Sequence, residues 1–286
     1  MVENVNRRVT IYEVGPRDGL QNEATPIPTD AKVTFVNALA DAGLTWIETT
    51  SFVNPKAVPQ LADATEVMQA IDRRPGVRYP VLVPNERGME RALAAGIDAI
   101  ALFAAASETF SQANIRASID ESFERFKTVV EIAKRERVWI RGYVSTAFHC
   151  PYSGPVIPAQ AVAIAERLFA LGCDEVAIAD TIGRATPEDT RRLLDVAIPA
   201  LPVEQLAFHL HDTAGLALDN IRLALDAGIT ILDGSAGGLG GCPFAPGAPG
   251  NLATEALVRM LDEMGFETGV DADAVESAAT SMRALL

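Results

Sequence analysis

The chain is expected to fold as an α/β protein of the (β/α)8 barrel class, one domain over residues 1–286. Two observations predict it. A unit of amphipathic helix, glycine and short apolar strand recurs at Ala42-Gly43-Leu44, Ala95-Gly96-Ile97, Leu171-Gly172-Cys173 and Ala227-Gly228-Ile229. Between these units lie four more apolar runs, at 9–14, 79–83, 138–144 and 206–210. Eight strand candidates alternating with helices suit a barrel, for which roughly 250 residues is typical. Their short apolar runs fit parallel strands buried on both faces, and no second composition zone suggests another domain. An open doubly wound sheet is the alternative. It expects a glycine-rich phosphate turn after its first strand, and this chain has Gly-Pro-Arg-Asp-Gly at 15–19 instead.

Taken in order, the first run ends in that sharp turn. Val33, Val36, Leu39 and Ala40 then keep helical spacing, with Thr29 or Asp30 placed to cap the helix and Gly43 to stop it. Glycine at this position can take the left-handed conformation that ends a helix. Strands follow at 46–49, 79–83, 99–102, 138–144, 176–178, 206–210 and 231–232. After the eighth comes a segment from Gly234 to Asn251 with too much glycine and proline for helix or strand. Three prolines, Pro243, Pro246 and Pro249, stiffen it, unlike a plain Gly/Ser linker. Connections this long inside compact domains are usually functional or disordered. It is read as an active-site loop carrying one thiol, Cys242, and ending on Asn251, a side chain suited to cap the next helix.

The formal net charge of −14 repels phosphate backbones, so nucleic-acid binding is not expected. Three cysteines form neither a C-x-x-C pair nor a disulfide framework, which suits a reducing compartment. The N-terminus has no apolar signal core, and no apolar run reaches the roughly 18 residues of a membrane helix. The expected location is the cytoplasm.

In barrels, active sites sit at the C-terminal ends of the strands. There the sequence places Arg17 and Asp18 after the first strand and Glu48 near the end of the second. His149 and Cys150 follow the fifth, Asp180 ends the sixth, and His209 and His211 fall at the seventh. Charged groups in an apolar interior are costly without partners, so their convergence is informative. Residues i and i+2 of a strand face one side, so His209 and His211 can reach one point. With Asp18 they would suit a divalent ion; Mn²⁺, Mg²⁺, Fe²⁺ and Zn²⁺ all remain open on ligand type.

Single residues also have plainer readings. Asp18 could serve an Asp-Gly turn, Asn251 could only cap a helix, and Asp180 could hold a turn or cap the next helix. Arg17 beside Asp18 is either a surface pair worth little or a fixed cation beside a developing oxyanion. Glu48, in a buried strand, needs a partner, and Arg17 is one candidate. Cys150 and Cys173 read as inert buried thiols, whereas Cys242 lies on a polar loop.

The segments 14–23, 47–52, 209–213, 238–243 and 250–255 together resemble the hydroxymethylglutaryl-CoA lyase family of barrel metallolyases. The resemblance covers nearly the whole chain. Its Gly-Gly-Cys-Pro loop marks the lyase branch; the Arg-Asp and His-x-His elements are shared more widely. It implies that Asp18, His209, His211 and Asn251 bind Mg²⁺ or Mn²⁺. It also implies that Arg17 polarises a substrate oxygen, that Cys242 is an acid/base, and that Glu48 and Asp180 support the site. His209, like Asp18, could act as base. The implied reaction is retro-Claisen cleavage of hydroxymethylglutaryl-CoA to acetyl-CoA and acetoacetate, and a homodimer is the family expectation. Ala214 stands where relatives often have Tyr, and Pro246 and Pro249 where they carry polar residues, which bears on acyl specificity. A longer 3-hydroxy-3-alkylglutaryl-CoA substrate, a Claisen-condensing synthase and a non-catalytic acyl-CoA or metal-binding barrel are the other readings.

Overall fold

The computed structural model describes residues 8–240 and 250–286. Its main sheet is entirely parallel and returns on itself. The strands are β1 (Thr10–Glu13), β2 (Trp46–Ile47 and Thr50–Ser51), β3 (Val81–Leu82), β4 (Ala99–Ala105), β5 (Trp139–Ser145), β6 (Glu175–Asp180), β7 (Leu206–Leu210) and β8 (Ile231–Gly234). β1 pairs with β8 on one side and with Trp46–Ile47 on the other. The second piece of β2, Thr50–Ser51, pairs with β3. Thus the two ends of the sheet are consecutive pieces of one strand, and the barrel is closed. Amide bonds from Glu48 to the Glu13 carbonyl and from Thr49 to the Pro80 carbonyl stitch the gap between them.

The four glycines expected to stop helices all adopt positive φ: Gly43 at 93°, Gly96 at 72°, Gly172 at 115° and Gly228 at 92°. The helix over Thr29–Asp41 departs from expectation at its start. Pro28 is its N-cap and no side chain caps it. Thr29 donates its hydroxyl to Asp63 at 2.7 Å, a tertiary contact that local pattern could not show. An unforeseen antiparallel pair, His149–Cys150 with Gly154–Pro155, follows β5. No helix among the described residues is long and apolar enough to cross a membrane.

Two layers of core result from the strand period of two. Outward-facing residues such as Ile100, Ile140, Ile178 and Phe208 pack under the helices. The inward set is different: Ala101, Ala177 and Ala207 lie with Leu82 and Tyr143. Small side chains on three strands leave room for large ones on the others, which is how small barrels fill their interiors. Arg141 uses that room. It is 0% exposed, donates to Asp233 at 2.6 Å and lies 3.7 Å from the centroid of the Tyr12 ring. β5, β8 and β1 are not neighbours of one another across that distance except β8 with β1, so these contacts cross the barrel lumen.

A candidate metal and catalytic centre

The turn after β1 is built by one carbonyl. Val14 O accepts from the amides of Arg17, Asp18 and Gly19 at 3.1, 2.8 and 3.2 Å, giving a single π-type turn over Gly15–Gly19. Glycine is required at both ends by close approach. A Cβ on Gly15 would lie 2.6 Å from Glu13 Oε1, and one on Gly19 would lie 2.9 Å from Ser235 Oγ. Glu13 ties this turn to the segment after β8. Its carboxylate accepts from the amides of Gly15 (2.7 Å) and Ala236 (2.8 Å) and from the Thr254 hydroxyl (2.6 Å).

Burial pushes the Glu13 carboxyl up to about 7 despite those three donors. The sign follows from linkage. A carboxyl raised above its unfolded value contributes stability below that value, and the contribution is lost as pH rises through the folded pKa. Glu13→Gln keeps the acceptor for both amides and cannot ionise. Relative to the parent, the variant should therefore gain about 3 kcal/mol between pH 4.5 and 7. Urea denaturation of both proteins at pH 5 and pH 8 measures it; a gap that does not change with pH refutes it.

The turn carries Arg17 and Asp18 over the C-terminal mouth of the barrel. Arg17 Nε donates to Glu48 Oε1 at 2.5 Å and Nη1 to Asp18 Oδ1 at 2.6 Å. Glu48 thus has the partner expected for it, and its Oε2 accepts from the Tyr143 hydroxyl at 2.6 Å. Arg17 Nη2 makes no hydrogen bond within the described residues, so one arm of the guanidinium is available to a ligand. Asp18, His209 and His211 come together, each offering a donor atom within 4.8 Å of the others. Asn251 joins them: its amide nitrogen donates to Asp18 Oδ2 at 2.9 Å and to Leu239 O at 3.1 Å.

Electrostatics suits a cation at this point. Burial works to raise the Asp18 carboxyl, but Arg17, the two imidazoles and Asn251 outweigh it and hold the group well below the usual carboxylate range. Burial, with His209 adding to it, lowers the His211 imidazole to about 4. At neutral pH the site therefore holds an ionised carboxylate beside a neutral imidazole. His211 Nε2 lies 3.8 Å from Asp18 Oδ2, and its buried Nδ1 has no hydrogen-bond partner among the described residues. One carboxylate and two imidazoles are a donor set for a divalent ion of borderline character. From this centre a cleft of about 530 Å³ runs past Phe103 and Tyr143 towards Asn114, Ile115 and Arg125.

The HMGL-like family profile matches residues 8–281. The chain belongs to the HMGL-like family. Among relatives of this family, the cytoplasmic 3-hydroxy-3-methylglutaryl-CoA lyase of Rattus norvegicus is 50% identical over 270 residues, 94% of this chain and 79% of that one. The mitochondrial hydroxymethylglutaryl-CoA lyase of Pongo abelii is 49% identical over 265 residues, 93% of this chain and 82% of that one. A crystal structure of the HMG-CoA lyase from Brucella melitensis superposes with a TM-score of 0.96 at 54% identity, covering 97% of this chain and 98% of that one.

Within this family frame, the site residues anticipated from the sequence fall into three groups. Arg17, Asp18, Glu48, His209, His211 and Asn251 converge. Asn251 does so in a different way from a helix cap. The helix over Thr254–Glu263 has Ala253 as N-cap with no side-chain cap, and Asn251 is instead zipped to the end of β7 by a bridge with His211. Asp180 does not reach the cleft. Its Oδ2 accepts from the Ala185 amide at 2.8 Å, so it holds the turn after β6, while Thr186 caps the next helix. Cys242, with Pro246 and Pro249, lies outside the described residues. Ala214 is exposed and outside the cleft lining, with its amide donating to Gly183 O at 3.0 Å.

The other thiols also divide. Burial pushes Cys173 up to about 12, as an inert thiol requires. Cys150 is likewise buried, yet hydrogen bonds from Ser107 and Ser153 outweigh burial and bring it down to about 7.

Sequence reasoning missed Glu13, Tyr143, Arg141 and Asp233. Asp233 and Arg141 carried the same signal as Glu48, a charge inside an apolar strand, at Ile231-Leu232-Asp233 and Ile140-Arg141.

Proposed function

We propose that this chain is a carbon–carbon lyase that cleaves 3-hydroxy-3-methylglutaryl-CoA to acetyl-CoA and acetoacetate, using Mg²⁺ or Mn²⁺. The observation that carries the reading is the meeting of Arg17, held by Glu48, with the Asp18, His209 and His211 cluster at one end of the cleft. The likeness to lyases at about half identity over most of the chain supports the substrate.

The reaction needs three things. The tertiary hydroxyl loses a proton, the C2–C3 bond breaks, and the thioester enolate left on C2 gains a proton. Asp18, His209, His211 and Asn251 would hold the ion. When bound, it lowers the pKa of a coordinated hydroxyl and polarises the neighbouring oxygen. Of the two groups proposed as base, Asp18 has a second carboxylate oxygen with which to accept the hydroxyl proton, whereas His209 has one lone pair and could accept it only where that lone pair is not given to the ion. Arg17 offers Nη2 to the oxygen that gathers charge as the bond breaks. Its other nitrogens are fixed, so it does not reorganise during the reaction. Leu82, Phe103 and Val53 give the cleft an apolar wall. Cys242 is assigned the return of a proton to C2, on the strength of its place in the Gly-Gly-Cys-Pro loop.

The reading is tested by mass analysis of products from a panel of 3-hydroxyacyl-CoA substrates. Release of acetyl-CoA with acetoacetate from the methyl compound supports it, and release from none of the panel sinks it. Cys242→Ser should lower turnover by roughly 10²–10⁴-fold, the range for a lost acid/base, with the thermal midpoint unchanged. Unaltered turnover would remove the thiol from the mechanism.

A further inference from the structure

We infer that Asp233 is a positioning residue that fixes the tautomer of His209, presenting the Nε2 lone pair to the centre. The inference as to metal affinity rests on the metal reading above; as to the tautomer it stands alone.

The backbone sets the pair. β7 and β8 run in parallel register with Ala207 beside Ile231 and Phe208 beside Leu232. Continuing by one residue puts His209 beside Asp233, both on the lumen face. A slip of one residue would turn either side chain outward. In that register His209 Nδ1 and Asp233 Oδ2 lie 3.0 Å apart.

Hydrogen-bond chemistry then decides the tautomer. Arg141 Nη2 donates to Asp233 Oδ1 at 2.6 Å, and arginine has no acceptor to offer. The opposite oxygen, Oδ2, is a carboxylate oxygen and can only accept. In the neutral ring the one proton must therefore sit on His209 Nδ1, which leaves the lone pair on Nε2. Ligating histidines are commonly held in this way by a carboxylate behind the ring.

Arg141 is itself immobilised. It is 0% exposed, stacked 3.7 Å from the Tyr12 centroid and 4.9 Å from that of Tyr143, and its Nε lies at an ion-pair distance of 3.1 Å from Glu175 Oε1. The Tyr143 ring meets His209 edge-on, with 5.6 Å between centroids. Among the described residues His211 has no equivalent support, since its buried Nδ1 meets no partner there. The two histidines are therefore unequal: one is locked from behind and the other is not.

Asp233→Asn tests this with almost no change of shape. Because Arg141 still needs an acceptor, the asparagine oxygen must face Arg141 and its NH₂ must face His209. Nδ1 then has to accept, and the proton moves to Nε2. The chain has three histidines, so long-range ¹H–¹⁵N spectra of the metal-free protein can resolve each ring. His209 should show the Nδ1–H pattern in the parent and the Nε2–H pattern in the variant, with His149 and His211 unmoved. Mn²⁺ titration followed by electron paramagnetic resonance should give affinity weakened by roughly 10- to 100-fold. An Nε2–H pattern in the parent, or an unchanged pattern in the variant, overturns the inference. A parent protein that binds no Mn²⁺ refutes the metal reading, and the tautomer spectra still decide the role of Asp233.

Discussion

Arg17→Lys is expected to lower kcat for hydroxymethylglutaryl-CoA cleavage by roughly 10²–10³-fold, the cost of losing one preorganised donor to a developing oxyanion. The charge survives the change, so Glu48 is not left as an uncompensated buried carboxylate. What is lost is the planar fork. Arg17 uses Nε for Glu48 and Nη1 for Asp18, and keeps Nη2 for a ligand. A lysine ammonium is one point charge on a flexible stem and cannot hold those directions together. KM should change less than kcat, because the contact strengthens as charge develops on the oxygen. Steady-state kinetics with coupled detection of acetyl-CoA measures both. A kcat within tenfold of the parent would show that charge alone suffices and that the fork is irrelevant.

Removal of divalent ions is expected to have the largest effect. Dialysis against EDTA should abolish turnover, and Mg²⁺ or Mn²⁺ should restore it. Lewis-acid assistance contributes several kcal/mol to such steps, roughly a thousandfold or more in rate. The geometry adds a sharper expectation. Asp18 lies against Arg17, Asn251 and His211 at once. Asp18→Asn removes the one carboxylate of the donor set, so activity should stay low at metal concentrations that saturate the parent. Full activity in EDTA would exclude a resident ion as the source of catalysis, and an Asp18→Asn enzyme rescued by the same metal concentration would remove Asp18 from its ligands. The two experiments address different atoms: the first asks what Arg17 does to substrate, the second what the cluster beside it holds.

The barrel was legible because its signals are local. Four helix-ending glycines and eight apolar runs are short-range patterns, and all four glycines took the left-handed conformation. The strand ends were legible for a related reason. In a parallel barrel every strand points the same way, so residues at one end of each must meet. That is why Arg17, Asp18, Glu48, His209 and His211 group together on sequence alone. Asp180 shows the limit of this argument. It ends its strand as required, but its carboxylate turns back to the Ala185 amide. Being at the right end of a strand does not fix the face on which a side chain lies.

The sequence by itself determined the class of fold, the end of the barrel where polar groups gather, and the residue types able to hold a cation there. Those follow from chain-local chemistry: glycine at positive φ, the strand period of two, and the cost of a charge in an apolar run. Only the tertiary structure decided the partners. Asn251 became a neighbour of Asp18 instead of a helix cap, Thr29 reached Asp63, and Arg141 crossed the lumen to Asp233 and thereby set the proton on His209. A buried polar group must find a complement, but which one it finds depends on register and closure between strands far apart in the chain. These pairings join residues as much as 233 positions apart, and no pattern within a window of sequence encodes them.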